Sequence, residues 1–303
     1  MKRIIVTGGN GTFGTQVVNG LTQRGYEVII LDRKEQPVSG LDQRGVITRV
    51  VDLMDYDEVK KTMYGGDALI HLAAIPDPTV AAAPLVYANN VVSTYHVLEA
   101  ASSLEFHKAI IASSESAYGF PWAHQPLSPF YFPVDEQHPL IPNDCYGTSK
   151  AVNEITGESF YRRTGMDVIS LRLSSICTPN VYRYFHDRLD QPVYLRRVLW
   201  SYVDIRDAAN ACILALERDG LGCEALNICS DETFSNIPSK ELIQRYFPDV
   251  TDIRASFNRC EGLYSNAKAK ALLGWKINYH WKDQQDLLST YSNVQEIDGG
   301  SRS

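Results

Sequence analysis

Short apolar runs alternate with amphipathic stretches from the start of the chain. Ile4-Ile5-Val6 reads as a short buried strand, and Val17, Val18 and Leu21 then recur at helical spacing. A second strand covers Tyr26 to Leu31, and a third covers Val46 to Val51, closed by Asp52-Leu53. Val59 and Met63 mark a helix, and Ala68 to Leu72 another apolar strand. Tyr87 to Ser102 predicts a long helix, Ala109 to Ala112 a short strand ending in Ser113-Ser114, Tyr146 to Arg163 a second long helix, and Val168 to Leu173 a strand. Strands this uniformly apolar are buried on both faces, and their alternation with helices predicts an α/β fold built on a parallel sheet.

The pattern loosens after Leu173. Ser174 to Trp200 is irregular, aromatic and basic, and Ser201 to Leu216 holds a strand start and a helix. Ala225 to Cys229 reads as a strand. Pro238 to Tyr246 and Ser265 to Leu273 are helix candidates, the last ending at Gly274 as a C-cap glycine. This divides the chain into a nucleotide-binding domain over 1–173, joined by 201–229, and a smaller substrate-binding region from 174–200 and 230–303. The 299–303 tail is expected to fray.

The stretch that organises the rest is Lys2 to Gly14, where the first strand runs into a turn with glycines at Gly8, Gly11 and Gly14. Such a turn needs a residue tolerant of φ > 0, one without a Cβ where a pyrophosphate approaches, and one that lets helix and strand pack closely. The helix start at Thr12-Phe13 then presents free N–H groups and a positive dipole end to an anion. A glycine turn alone is weak evidence. Here it lies between a strand and a helix, and the next strand ends on Asp32, where a ribose-binding carboxylate belongs. The expectation is a Rossmann-type doubly wound sheet holding a dinucleotide. The charge of Asp32 repels a 2′-phosphate and favours NAD over NADP, although Arg33 beside it offers a phosphate partner.

Composition narrows the class. The chain has 303 residues and a formal net charge of -7, which argues against nucleic acid or an anionic membrane as partner. No apolar run is long enough to span a bilayer, and no signal-peptide pattern precedes the first strand. The six cysteines are scattered without metal spacing, as expected for reduced thiols in the cytoplasm, and no metal site is expected.

The candidate chemistry is Tyr146-Gly147-Thr148-Ser149-Lys150. Tyrosine and lysine at i and i+4 share one helix face. A free phenol has a pKa of about 10, and bringing it to roughly 7 takes about 4 kcal/mol of differential stabilisation. A neighbouring ammonium and a bound positive nicotinamide are expected to supply it. On its own such a pair is more often a surface tyrosine and lysine. The dinucleotide turn, and Ser113 to Gly119 at the end of a buried strand, change that balance.

Taken together, TGGNGTFG, Asp32, Val51-Asp52-Leu53, His71-Leu72-Ala73-Ala74, Asn89-Asn90-Val91, Ser113 to Gly119, YGTSK and Leu272-Leu273-Gly274-Trp275 resemble the extended short-chain dehydrogenase/reductase family of NAD-dependent sugar epimerases, dehydratases and dehydrogenases. The resemblance implies Tyr146 as general acid/base, Lys150 as its tuner and a holder of the nicotinamide ribose, and Ser114 as partner of the reacting oxygen. It implies that Asp52 and Leu53 flank the adenine, that Leu72, Ala73 and Ala74 line the phosphates and ribose, and that Asn90 belongs to the cofactor site. It also implies a homodimer through the two long helices, with Tyr95, Val152 and Tyr161 as contact residues.

The substrate is expected to be a small sugar or sugar acid. Nucleotide-sugar members carry a long segment after the strand matched by Leu171-Arg172-Leu173, usually opened by an asparagine. Here Ser175 stands in that place, and only about 25 residues separate it from Ser201. Ser175-Ile176-Cys177-Thr178-Pro179 followed by Tyr182-Arg183 resembles uronate dehydrogenases, which implies Arg183 as a carboxylate binder. Glu115 departs from them, since they carry a neutral polar residue there, and an unpaired carboxylate disfavours an anionic substrate. The backbone of Ile75-Pro76-Asp77 is also expected at the substrate, and the aromatic loop Gly119 to Pro142 is read either as a lid or as a packed surface loop. Asp135, Glu136 and the histidines of that loop are expected to be structural, and Asp204 and Asp207 to cap a helix. Two alternatives stand beside the dehydrogenase: a nucleotide-sugar epimerase or dehydratase with tightly held NAD, and a dinucleotide-binding sensor without turnover.

Overall fold

The computed structural model describes residues 2–33, 35 and 45–284. The 299–303 tail lies outside them. In chain order the elements are β1 (Arg3–Thr7), α1 (Thr12–Gln23), β2 (Glu27–Asp32), β3 (Val46–Val50), α2 (Tyr56–Met63), β4 (Ala68–His71), α3 (Ala83–Ser103) and β5 (Lys108–Ser114). There follow β6 (Tyr131–Phe132), α4 (Cys145–Thr164), β7 (Asp167–Leu173), β8 (Ile176–Cys177), α5 (Pro179–His186), β9 (Val203–Asp204), α6 (Ile205–Glu217), β10 (Cys223–Ile228), α7 (Ser239–Tyr246), β11 (Asp252–Ile253) and α8 (Ala267–Leu273).

Seven strands form one parallel sheet in the order β10-β7-β5-β4-β1-β2-β3, a Rossmann-like α/β fold. The chain builds outward from β1 to β3, then returns to lay β4 on the other side of β1. That reversal opens a crevice at the strand C-termini, where ligands of such sheets bind. Strand alternation feeds two cores. Ile4 and Val6 face α1 and α6 through Val17, Val18, Leu21 and Ile213. Ile5 faces the opposite layer, with Val59 and Met63 from α2, Val97 from α3 and Phe160 from α4. β1 is therefore buried on both sides, as its unbroken apolar run requires.

A third core is aromatic and joins regions far apart in sequence. Tyr118, Phe120 and Phe132 pack with Tyr182, Phe185, Trp200, Tyr202, Phe234, Phe247 and Trp281. The aromatic loop after Gly119 thus packs with the C-terminal region, and β6 pairs with β11.

Helix boundaries follow their caps. α3 begins at Ala83, earlier than the apolar pattern suggested, because Pro84 suits the first turn of a helix. At the start of α4 the Asp144 carboxylate accepts from the Tyr146 and Gly147 amides at 2.9 and 2.8 Å. Gly165 (φ 74°) closes that helix, and Gly274 (φ 65°) closes α8 as expected. The segment read as irregular between Ser174 and Trp200 contains β8 and α5, the helix being started by the Thr178 cap and Pro179. Asp204 caps α6 through the Arg206 amide. Asp207 does not cap. It is buried and accepts from the Asn278 and Tyr279 amides, both at 3.0 Å, which anchors the C-terminal segment on α6.

Candidate active site

The glycine turn is forced by packing. Gly8 sits at φ +69°, and a Cβ there would lie 2.8 Å from the Ala73 amide nitrogen. A Cβ on Gly14 would lie 2.2 Å from the Gly8 carbonyl oxygen, so α1 can approach β1 this closely only with glycine there. Gly11 is the N-cap of α1 and brings no side-chain cap, and the first turn holds no acid. The helix start thereby keeps its N–H groups and positive dipole end directed at the cleft.

That cleft, of about 720 Å³, is lined by Gly8, Gly11, Thr12, Phe13 and Gly14 from the turn and by Asp32 and Arg33 from the end of β2. Leu53, Leu72, Ala73, Ala74 and Ile75 complete the opposite wall. The Asp32 carboxylate accepts from the Asn10 amide at 3.2 Å and from the Arg33 amide at 2.8 Å, which fixes it at the strand end. Arg33 reaches back to the Asn89 side-chain oxygen at 2.5 Å and lies 3.6 Å from Asp52. Asp52 itself is not among the lining residues and accepts from the Met54 amide at 3.0 Å. Asn90 lies beneath the wall, also outside the lining. Its side chain accepts from the Ile75 amide at 2.8 Å and donates to the Ile75 carbonyl at 3.0 Å. The Ile75 backbone is thus occupied, and Ile75 lines this cleft, not the substrate side where it was expected. Asn89 and Ser93 line the cleft without having been singled out as ligands in the sequence, although the Asn89-Asn90 pair was a visible marker.

The wall at Leu72–Ala74 is held by a hydrogen-bond chain. Thr7 Oγ1 accepts from the Ala73 amide at 3.3 Å and donates to His71 Nδ1 at 2.7 Å. His71 Nε2 then donates to Thr94 Oγ1 at 3.0 Å, which donates to the Asn90 carbonyl at 2.7 Å. Each hydroxyl has one proton, so the chain fixes a single histidine tautomer. Burial, helped by the Lys150 charge, lowers the His71 pKa to about 3 and keeps the ring neutral.

A second cleft of about 380 Å³ adjoins the first and shares Phe13, Leu72, Ala74 and Pro76 with it. Tyr146 and Lys150, from the first turns of α4, meet Ser114 and Glu115 from the end of β5. The Ser114 side chain lies beside the Tyr146 phenol and acts to lower its pKa, while its Oγ accepts from the Ser116 amide at 3.1 Å. Ser113 also lines the cleft, but its hydroxyl donates to Glu154 at 2.5 Å. The geometry therefore favours Ser114 over Ser113 as partner of the phenol. Lys150 Nζ donates to the Ala112 carbonyl at 2.7 Å and lies 5.5 Å from the Tyr146 ring centre.

The electrostatics differ from the sequence expectation. Burial raises the Tyr146 pKa to about 12, against a lowering influence from Ser114, and Asp77, Asp144 and Glu115 add to the rise. Lys150 is not the dominant neighbour of the phenol. Its own pKa is lowered by burial to about 8, with Glu154 opposing. Burial weighs against both charged forms, and this outweighs the helical pairing of the two residues.

Ser175 lines the substrate side, where its hydroxyl donates to Glu115 Oε1 at 3.2 Å. Arg183 is not among the lining residues. It lies in the last turn of α5, half-buried, while Tyr182 and Phe185 of the same helix pack into the aromatic core. This helix was not visible as such in the sequence. Of the aromatic loop, Pro121 and Trp122 line the cleft, whereas Phe130 is exposed and Phe132 is buried in the core. Glu136 accepts from the Asn227 amide at 2.7 Å and His138 from the Phe130 amide at 3.0 Å, both structural as expected.

Known proteins agree with this architecture. The chain is 29% identical over 205 residues to L-arabinose 1-dehydrogenase (NAD(P)(+)) of Haloferax volcanii, covering 66% of this chain and 77% of that one. A short-chain dehydrogenase/reductase superfamily protein from Agrobacterium tumefaciens, solved with bound NAD, superposes with a TM-score of 0.73 at 21% identity, over 98% of this chain and 99% of that one. UDP-glucose 4-epimerase of Thermotoga maritima, solved with UDP-glucose, gives 0.71 at 24% identity, over 97% and 99%. The NAD dependent epimerase/dehydratase family matches residues 4–229, so the chain belongs to that family and is an NAD-dependent dehydrogenase or epimerase of the extended short-chain type.

Proposed function

We propose that the protein is an NAD-dependent dehydrogenase that oxidises a hydroxyl of a small sugar or sugar acid. The observation that carries this reading is the meeting of Ser114, Tyr146 and Lys150 in the cleft that adjoins the one behind the glycine turn. Gly8, Gly11 and Gly14, the α1 N-terminus, Asp32 and the Leu72–Ala74 wall are the residues that would hold NAD. When bound, NAD supplies the hydride acceptor and a positively charged ring. The protein's part is proton handling. Ser114 positions the reacting oxygen by hydrogen bonding, and Tyr146 takes the hydroxyl proton. With its pKa near 12, the phenol must be brought down by about 7 kcal/mol of differential stabilisation to act as a base near pH 7, so positive charge at the site is essential to its role. Lys150 contributes part of that charge and is aligned by Ala112.

The small cleft and the name of the haloarchaeal relative support a free sugar over a nucleotide sugar. Arg196 donates to the Tyr246 carbonyl and Arg197 to the Ala123 carbonyl, so these two arginines of the intervening segment serve the fold. Exposed Tyr95 and Tyr161 on α3 and α4, with Val152 half-buried beside them, favour a homodimer through those helices. All six cysteines are free, which fits a reducing cytoplasm. Among the described residues no helix is long and apolar enough to cross a membrane.

The test is a panel of aldoses, polyols, uronates and nucleotide sugars incubated with NAD, reading NADH. Steady NADH release with a free sugar supports the dehydrogenase. Interconversion of a nucleotide sugar without net NADH would replace it with the epimerase reading.

A further inference from the structure

The substrate-side cleft has two charged side chains among its lining residues, Lys150 and Glu115. Lys150 is committed to the Ala112 carbonyl, and the carboxylate acting on it is Glu154. Glu115 is differently placed. It opens the single 3-10 turn after β5 and is 5% exposed. Its Oε1 accepts from Ser175. Ser174, whose hydroxyl is bonded to Ser201, and the Ser175 backbone lie near enough to favour the ionised form. Its buried Oε2, however, meets no hydrogen-bond partner among the described residues. A carboxyl oxygen left open inside a folded protein is uncommon and calls for a partner from outside the chain. Among the described residues no cation besides Lys150 lines the cleft. Arg172 is paired with Glu154 at 2.7 Å, Arg188 donates to the Tyr184 carbonyl at 2.8 Å, and neither lines the cleft.

We propose that Glu115 sets the substrate class: its open oxygen pairs with a hydroxyl of an uncharged sugar and turns away sugars that present a carboxylate or phosphate there. This rests on the dehydrogenase reading above. A sugar hydroxyl both donates and accepts, so it satisfies Oε2 whether Glu115 is ionised or neutral. A carboxylate or phosphate brings a negative charge beside this buried carboxyl, which offers it no countercharge when neutral and repels it when ionised. The surrounding Ser114, Ser116 and Ser175 side chains and the Trp122 ring add neutral polar and flat apolar surface, which suits a polyhydroxylated ring.

The test compares galactose with galacturonate, which differ only in the terminal carbon, and arabinose, which lacks that carbon. Turnover with NAD is measured for the wild type and for Glu115→Gln. Thermal protection by each sugar in the presence of NADH reads binding without turnover. For the wild type, kcat/KM for the better neutral sugar is expected to exceed that for the uronate by about 100-fold or more. Glu115→Gln is expected to shrink that ratio at least about tenfold, mainly by improving the uronate. A wild-type preference for the uronate overturns the proposal, as does a ratio unmoved by the substitution. If no sugar is oxidised but neutral sugars alone protect the NADH complex, the dehydrogenase reading fails and the role of Glu115 stands. If sugars are oxidised without regard to charge, the reverse holds. Should the variant not fold, the wild-type preference decides alone.

Discussion

The Ser114 side chain faces the Tyr146 phenol across the gap between the end of β5 and the first turn of α4, close enough to lower its pKa. The two elements are brought together because β5 lies beside β4 at the strand C-termini and α4 packs back on β5 and β7. The contact ties the proton carrier to the group that positions the substrate oxygen. Tyr146→Phe keeps the ring and its packing but removes the proton. Turnover should fall by about 10²–10⁴-fold, while NADH binding, followed by fluorescence, stays within a few-fold. Unchanged turnover would leave the dinucleotide-binding sensor as the better description.

Lys150 gives a pH prediction. Its pKa is lowered to about 8, so its charge is present below that pH and lost above it. The kcat/KM profile should therefore decline on the alkaline side near pH 8. A guanidinium stays charged throughout this range, so Lys150→Arg should push the decline to higher pH, even if its longer reach lowers the maximum. An alkaline limb that stays in place in the arginine variant would assign it to another group.

Cofactor choice turns on Asp32. Its carboxylate is fixed by two backbone amides, and Arg33 beside it is already engaged by Asn89 and Asp52. The wild type should prefer NAD over NADP. Asp32→Ser removes the negative charge and leaves Arg33 in place, and should lower the NAD/NADP ratio of kcat/KM by about tenfold or more. A wild-type preference for NADP would overturn the assignment of Asp32 to the ribose hydroxyls.

Ile4-Ile5-Val6 and Ala68 to Ile70 were legible as strands of the sheet because a strand buried on both faces is mostly apolar. The glycine turn was legible because Gly8 and Gly14 are sterically compelled. What sequence did not show depends on distant partners. Asp204 and Asp207 look equivalent in the chain, yet only the first faces an amide of its own helix start. Arg183 sits in a basic stretch that suggests a ligand, but it lies on α5 and is not among the residues lining the cleft. The sign of the Tyr146 shift was missed for the same reason. Helical spacing reports the lysine, and only the fold reports the burial.

Gly14→Ala tests the turn directly. Its Cβ would collide with the Gly8 carbonyl and the Gly9 backbone, neither of which is a side chain able to swing aside. The variant should lose on the order of 1–3 kcal/mol of stability, read by denaturant midpoint, and most of its NAD affinity. Retention of both would mean that α1 can slide along β1, contrary to the packing seen here.

The open carboxyl of Glu115 should also be visible in stability. Burial raises its pKa from 4.5 to about 8. Between these values the unfolded chain releases the proton and the folded protein keeps it, so this group makes stability fall as pH rises. The effect is absent below about pH 4.5 and complete above about pH 8. At about 1.36 kcal/mol per unit, the full shift corresponds to a cost on the order of 5 kcal/mol, of which a substituted amide should recover part, since it too must find partners. Glu115→Gln should therefore melt close to the wild type at pH 5 and several degrees above it at pH 8. A group kept at such a cost in the substrate cleft fits the trade of stability for function. Parallel melting curves at both pH values would show that Glu115 ionises freely in the folded protein, and its buried oxygen would then need a partner within the chain.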